Sequence, residues 1–155
     1  MKSDLQTFKY LILTSVSKLF VTLFCFSLQA QSFYQFKSYP EKYHLTAPFL
    51  IGITLWTIGF CVNLSSDNIL RNLRQTPGYK IPHGGLFRYV SCANFTGEIF
   101  EWFGFAIASQ SLAGWAFLAF VCANLIPRAC SHHSWYIEKF EDYPKGRQAV
   151  FPFIW

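Results

Sequence analysis

Four apolar stretches separated by short polar junctions constrain this chain more than any other feature. Leu11–Phe33 reads LILTSVSKLFVTLFCFSLQAQSF, and Ala47–Leu64 reads APFLIGITLWTIGFCVNL. Tyr89–Ser109 is apolar apart from Asn94, Glu98 and Glu101, and Ser111–Ile126 carries no charge. A membrane-crossing helix needs about 20 such residues, so the second and fourth stretches are predicted to borrow turns from their flanks. Lys18 interrupts the first. Charged residues make up 14% of the chain and hydrophobic residues 52%, where a soluble domain carries about a quarter charged. In a bilayer the backbone must satisfy its own hydrogen bonds. The predicted fold class is therefore all-α: a polytopic transmembrane helical bundle of about four spans, one membrane domain over residues 1–155.

The first 30 residues do not read as a cleaved leader, because Lys18 breaks the apolar core and Leu28 sits three places before a cut at Ala30. The net charge is +5, yet the cations do not form one run. Arg71, Arg74, Lys80 and Arg88 fall in one junction, and Arg128, Lys139, Lys145 and Arg147 follow the last apolar stretch. That distribution is a topology signal and not a nucleic-acid footprint, and it places both termini and the Arg71–Arg88 loop on the cytosolic side. The five cysteines include no C-x-x-C pair and read as small buried hydrophobes. Their odd number argues against a disulfide scaffold.

The junction from Asn63 to Glu98 is too richly functionalised for a simple connector. Asn63, Asp67, Arg71 and Arg74 repeat at helical spacing and share one face. Tyr79 and Lys80 follow, after the turn signal Pro77-Gly78. Asn94 and Glu98 lie one turn apart, with Glu101 beyond them. A carboxylate in an apolar span must be solvated, paired or protonated, and polar groups at membrane depth mark a site by default. Arg128, His132 and Tyr136 form a third stripe, from which His133 points away. The adjacent histidines lack a matching ligand motif, so no metal is expected. Together the three stripes suit a pocket with an apolar interior and a cationic mouth. Such a pocket would take a phosphorylated ligand beside a lipophilic one arriving from the bilayer. No G-x-G-x-x-G, G-x-S-x-G or P-loop motif is present.

These residues resemble the C-terminal half of the membrane steroid 5α-reductases (3-oxo-5α-steroid 4-dehydrogenases). The likeness rests on NLSSDNILRNLR, GYKIPHGGLFRYVSCANFTGEIFEW, HHSWYIEKFEDYPK and the closing FPFIW, and runs from about Leu28 to Trp155. It implies a seven-helix fold of the endoplasmic reticulum membrane, of which this chain carries the C-terminal part. It also implies an NADPH in a cytosol-facing cavity and reduction of the Δ4 double bond of a 3-oxo-steroid. It maps cofactor contacts onto Asn63, Asp67, Arg71, Arg74, Tyr79, Lys80, Asn94, Glu98, Arg128, His132 and Tyr136. The Glu and Tyr that hold the substrate's 3-oxo group in the family lie upstream of this chain, so its catalytic residues stay unknown. An N-terminally truncated form is the corresponding expectation. Two alternatives remain open: a reductase of a related lipid (sterol, polyprenal or enoyl-CoA), and a non-catalytic fragment that binds NADPH or a partner.

The charge pattern makes a direct prediction about topology. Glycosylation acceptors placed at Gly78 and after Trp155 should remain unmodified in microsomes. Modification of either would overturn the cytosolic assignment of the basic junction and tail.

Overall fold

The computed structural model describes residues 23, 26–35, 38–75 and 77–152. They fall in two compact units, divided after Tyr39. The first unit contributes helix α1 over 26–35. The second holds helices α2 (Ala47–Leu73), α3 (Ala93–Ser109) and α4 (Leu112–Lys139), with short 3-10 turns at Tyr43–Leu45 and Gly85–Arg88. Most of Leu11–Phe33, including Lys18 and Cys25, lies outside the described residues, as do the last three residues of FPFIW.

Local sequence accounts for the helix ends. Thr46 is extended and precedes α2, and Pro48 occupies its first turn, where a missing N–H costs nothing. Gln110 takes the left-handed conformation, at φ 47°, that closes α3. Ser111 then accepts a hydrogen bond from the Gly114 amide at 3.0 Å and starts α4. Gln110 and Ser111 alone therefore reverse the chain between α3 and α4. The fourth apolar stretch ends at Ile126, but α4 runs on through Pro127 to Lys139. Hydropathy marks the end of the apolar surface and not the end of the helix, so Arg128, His132 and Tyr136 sit on the same rod as the span.

Helices α2 and α3 meet along glycine. Gly52 and Gly59 on α2 face Gly104 and Gly97 on α3, and each pair is spaced by seven residues in the sequence. A Cβ added at Gly97 would lie 2.5 Å from the Asn63 amide nitrogen. Added at Gly59 or Gly104, it would collide with the backbone of Glu101 or Trp56. Small residues that allow backbones this close are the usual basis of helix association in lipid, where burying apolar surface offers little. The outer face of α2 fits the same setting: Leu50, Ile51, Ile58, Phe60 and Leu64 are exposed, and only Gly52, Gly59 and Ser66 are buried.

Helix α4 closes on α3 through larger side chains. Cys92, Ile99, Val121, Leu125 and Ala129 are buried together with Ala149 and Val150 of the tail. Trp102 and Phe117 meet edge to face with centroids 4.5 Å apart. Cys92 behaves as the buried hydrophobe expected, Cys122 and Cys130 are half-buried, and Cys61 is instead exposed among the apolar side chains of α2.

The all-helical architecture agrees with the sequence reading, while the number of spans is narrower. Among the described residues, α2 and α4 are long and apolar enough to cross a bilayer. The 17 residues of α3 reach roughly 26 Å at about 1.5 Å each, short of a hydrocarbon core of about 30 Å.

Gly97→Ala should destabilise the bundle by about 1–3 kcal/mol, because backbone and not a flexible side chain stands in the way. Gly146→Ala, where an added Cβ meets nothing within 4 Å, is the neutral control. Thermal unfolding in detergent checks this; equal melting of the two variants would remove the glycine contact as a cause of stability.

Candidate functional site

The glycine contact also sets the site. Because Gly97 touches the Asn63 backbone, the polar stripe of α2 begins beside the turn of α3 that carries Asn94 and Glu98. Asn63, Asn94 and Glu98 are all half-buried there. The Trp102 side chain lies one turn on from Glu98. Glu98 also lies within electrostatic reach of Asp67 on α2 and Arg128 on α4. Asp67 and Arg128 are themselves exposed. One turn deeper, Glu101 lies near Glu98 and packs its backbone against Gly59.

A second grouping forms nearer the ends of α2 and α4. The Tyr136 phenol lies within electrostatic reach of Arg74, at the last turn of α2, and of Arg147 in the tail. Tyr79 and His132 share an open groove of about 490 Å³ with Trp135 and Lys139. The Tyr79 ring meets Trp135 edge-on at 5.2 Å, and His132 sits 6.1 Å from Phe95. Arg71 and Lys80 are exposed and stand outside these groups. No cluster of three potential metal-binding side chains occurs among the described residues.

A buried polar network beside this region has no counterpart in the sequence reading. Ser91, almost fully buried, hydrogen-bonds both His133 Nδ1 and, at 2.6 Å, the Tyr143 hydroxyl. The Tyr143 ring stacks on Tyr136 at 5.4 Å, and the Arg147 guanidinium lies over the Tyr143 ring 5.3 Å from its centroid. The histidine that meets Ser91 is therefore His133, which is half-buried, while His132 is exposed.

The tail is held in place by backbone pairing. Gln148 donates to the Tyr89 carbonyl at 2.9 Å, and the Ser91 amide donates to Gln148 at 2.8 Å. Thr96 donates its hydroxyl to the Val150 carbonyl at 2.6 Å, pinning the tail to α3. A one-bridge pairing between segments so far apart in sequence leaves no periodic signal, which is why Tyr143 and Arg147 read only as tail residues.

Comparison with known proteins follows the same residues. A family profile described as 3-oxo-5-alpha-steroid 4-dehydrogenase matches residues 9–155. The 3-oxo-5-alpha-steroid 4-dehydrogenase 1 of Rattus norvegicus is 53% identical over 137 residues, covering 85% of this chain and 53% of the relative. Its Homo sapiens counterpart is 51% identical over 118 residues, covering 75% and 46%. The steroid 5-alpha-reductase DET2 of Solanum lycopersicum is 46% identical over 142 residues, covering 87% and 55%. The chain spans about half the length of the curated relatives it matches.

Ser91→Ala should destabilise the fold by about 1–3 kcal/mol, since it strips both His133 and Tyr143 of a buried partner. Ser131→Ala removes only an exposed hydroxyl bonded to its own helix, at Pro127, and should change little. Indistinguishable melting curves would show that water replaces Ser91 without cost.

Proposed function

This chain belongs to the 3-oxo-5-alpha-steroid 4-dehydrogenase family, and from that premise we propose that it forms the cofactor-binding part of an NADPH-dependent reductase acting on the Δ4 double bond of 3-oxo-steroids. What supports this reading is the half-buried trio Asn63, Asn94 and Glu98 where α2 meets α3 at Gly97, with Asp67, Arg74, Arg128 and Tyr136 within electrostatic reach at the polar ends of apolar helices.

The side chains suit a dinucleotide in kind. Arg74, Lys80 and Arg128 supply fixed cations for phosphates, and Arg offers a planar fork for two oxygens at once. Asn63, Asn94 and Glu98 are half-buried groups able to hydrogen-bond an amide and ribose hydroxyls. Tyr79 and Trp135 line the groove with aromatic surface against which a flat ring can rest. When bound, the reduced nicotinamide supplies the hydride for C5 of the steroid. The residues of this chain orient that ring, neutralise the phosphates and keep water from its reacting face. The lipid-facing sides of α2 and α4 give a steroid a route from the bilayer.

The same reading puts the protein in the endoplasmic reticulum membrane as a multi-pass part of a seven-helix fold with about four spans here. The concentration of Lys and Arg in the junction and tail supports a cytosolic orientation for the site and the C-terminus.

Arg74→Ala should weaken NADPH binding roughly ten- to a hundredfold, the loss of one charge-assisted contact. A fluorescence titration in nanodiscs reads it, with turnover of radiolabelled 3-oxo-Δ4-steroid as the second readout. Unchanged affinity would leave the basic cluster with a role in topology alone.

A further inference from the structure

Arg147 is the most deeply buried cation among the described residues, 4% exposed, and its environment is incomplete. Its Nη2 reaches His83 Nδ1 at 3.4 Å, and its guanidinium stacks over Tyr143. Nε and Nη1 are buried with no hydrogen-bond partner among the described residues. Leaving such donors unpaired inside a protein is costly.

Arg147 also lines an open cavity of about 650 Å³ with His83, Gly84, Gly85 and Arg88. Two guanidinium groups and an imidazole thus border one space, and among the described residues no carboxylate borders it. Gly84 and Gly85 both have positive φ and bring no side chain into it. Of the residues grouped around Glu98 and Tyr136, Arg147 alone lines this cavity, and Arg74, Asp67, Glu98, Arg128 and Tyr136 do not.

We propose that His83, Arg88 and Arg147 form a second anion site, distinct from the dinucleotide residues, that takes a phosphate monoester or inorganic phosphate. Phosphate is the ligand class that uses what is present: oxygens for both ends of a planar guanidinium fork, negative charge for two arginines, and an imidazole to donate or accept. A carboxylate would satisfy the fork but would leave Arg88 or His83 unused. The cavity volume exceeds what one phosphate fills, so the group arrives either free or as the head of a larger molecule such as an anionic phospholipid. The surrounding basic junction lies beside the apolar helices, where such headgroups are found.

The test uses the whole chain in nanodiscs and keeps the two sources apart. In phosphatidylcholine discs, inorganic phosphate is titrated by calorimetry. In discs containing phosphatidic acid, lipid enrichment around the protein is read by native mass spectrometry. Arg88→Gln and His83→Gln, both at exposed positions, should each weaken binding about tenfold. Arg147→Lys, which keeps the charge and loses the fork, should do the same with the melting temperature recorded beside it. Lys42→Gln, which removes an exposed cation outside the cavity, should change nothing. Saturable binding of phosphate supports a free ligand, and enrichment of phosphatidic acid alone supports a headgroup; both uphold the site. The proposal is overturned if neither probe binds, or if Lys42→Gln matches Arg88→Gln. It is also overturned if Arg88→Gln abolishes NADPH binding, because the cavity would then be part of the dinucleotide site. NADPH binding that fails in the unaltered protein sinks the proposed function and leaves the phosphate measurement standing.

Discussion

The close approach of α2 and α3 at Gly59 and Gly97 is the constraint on which the rest of the structure depends. With a side chain at either position the two backbones could not come within contact, and the helices would move apart. Asn63 would then leave the turn that holds Asn94 and Glu98. Asp67, one turn further along α2, would lose its proximity to Glu98. Arg74, at the end of that helix, would no longer reach toward Tyr136. The glycines, which carry no chemistry of their own, fix the register in which the polar stripes of α2 and α3 face one another.

The tail performs the equivalent task for α4. Its parallel bridge to Val90 and the Thr96–Val150 hydrogen bond hold Tyr143 and Arg147 against the start of α3. Tyr143 in turn stacks on Tyr136 and shares Ser91 with His133. The position of the Tyr136 phenol is therefore set by aromatic packing from the tail as well as by its own helix. Tertiary contacts of this kind matter more here than in a soluble protein, since α2 and much of α4 bury little of their surface within the chain.

Helical periodicity made much of this legible beforehand. The four-residue spacings of Asn63, Asp67 and Arg71, and of Arg128, His132 and Tyr136, correspond to continuous helices. The distribution of Lys and Arg, by contrast, could not separate a buried arginine from a surface one. Arg147 counted only as a topology charge because its burial depends on pairing with residues more than fifty positions away. His132 and His133 were divided by helix angle, but angle alone does not say which face meets Ser91. The fourth apolar stretch does borrow turns from its flank, and α4 extends to Lys139. Its polar final turns are stabilised by the aromatic contacts of Trp135, Tyr136 and Phe140, not by a continuing apolar stripe. Pro127 stands where a helix break is the ordinary reading.

A buried guanidinium with two donors unpaired among the described residues is a poor choice for stability. Removing a charge from water is expensive unless hydrogen bonds or a partner charge offset it. Stacking on Tyr143 offsets about 1–2 kcal/mol at most, and the single bond to His83 is a long one at 3.4 Å. An uncharged residue of similar shape at position 147 would fill the space beneath Tyr143 without the desolvation cost, so packing alone does not account for arginine there. Arg147 borders the same cavity as Arg88 and the glycine pair. A ligand carrying negative charge converts that cost into binding free energy. The free protein would then be less stable than a variant in which the site is abolished, and the bound protein more stable than either.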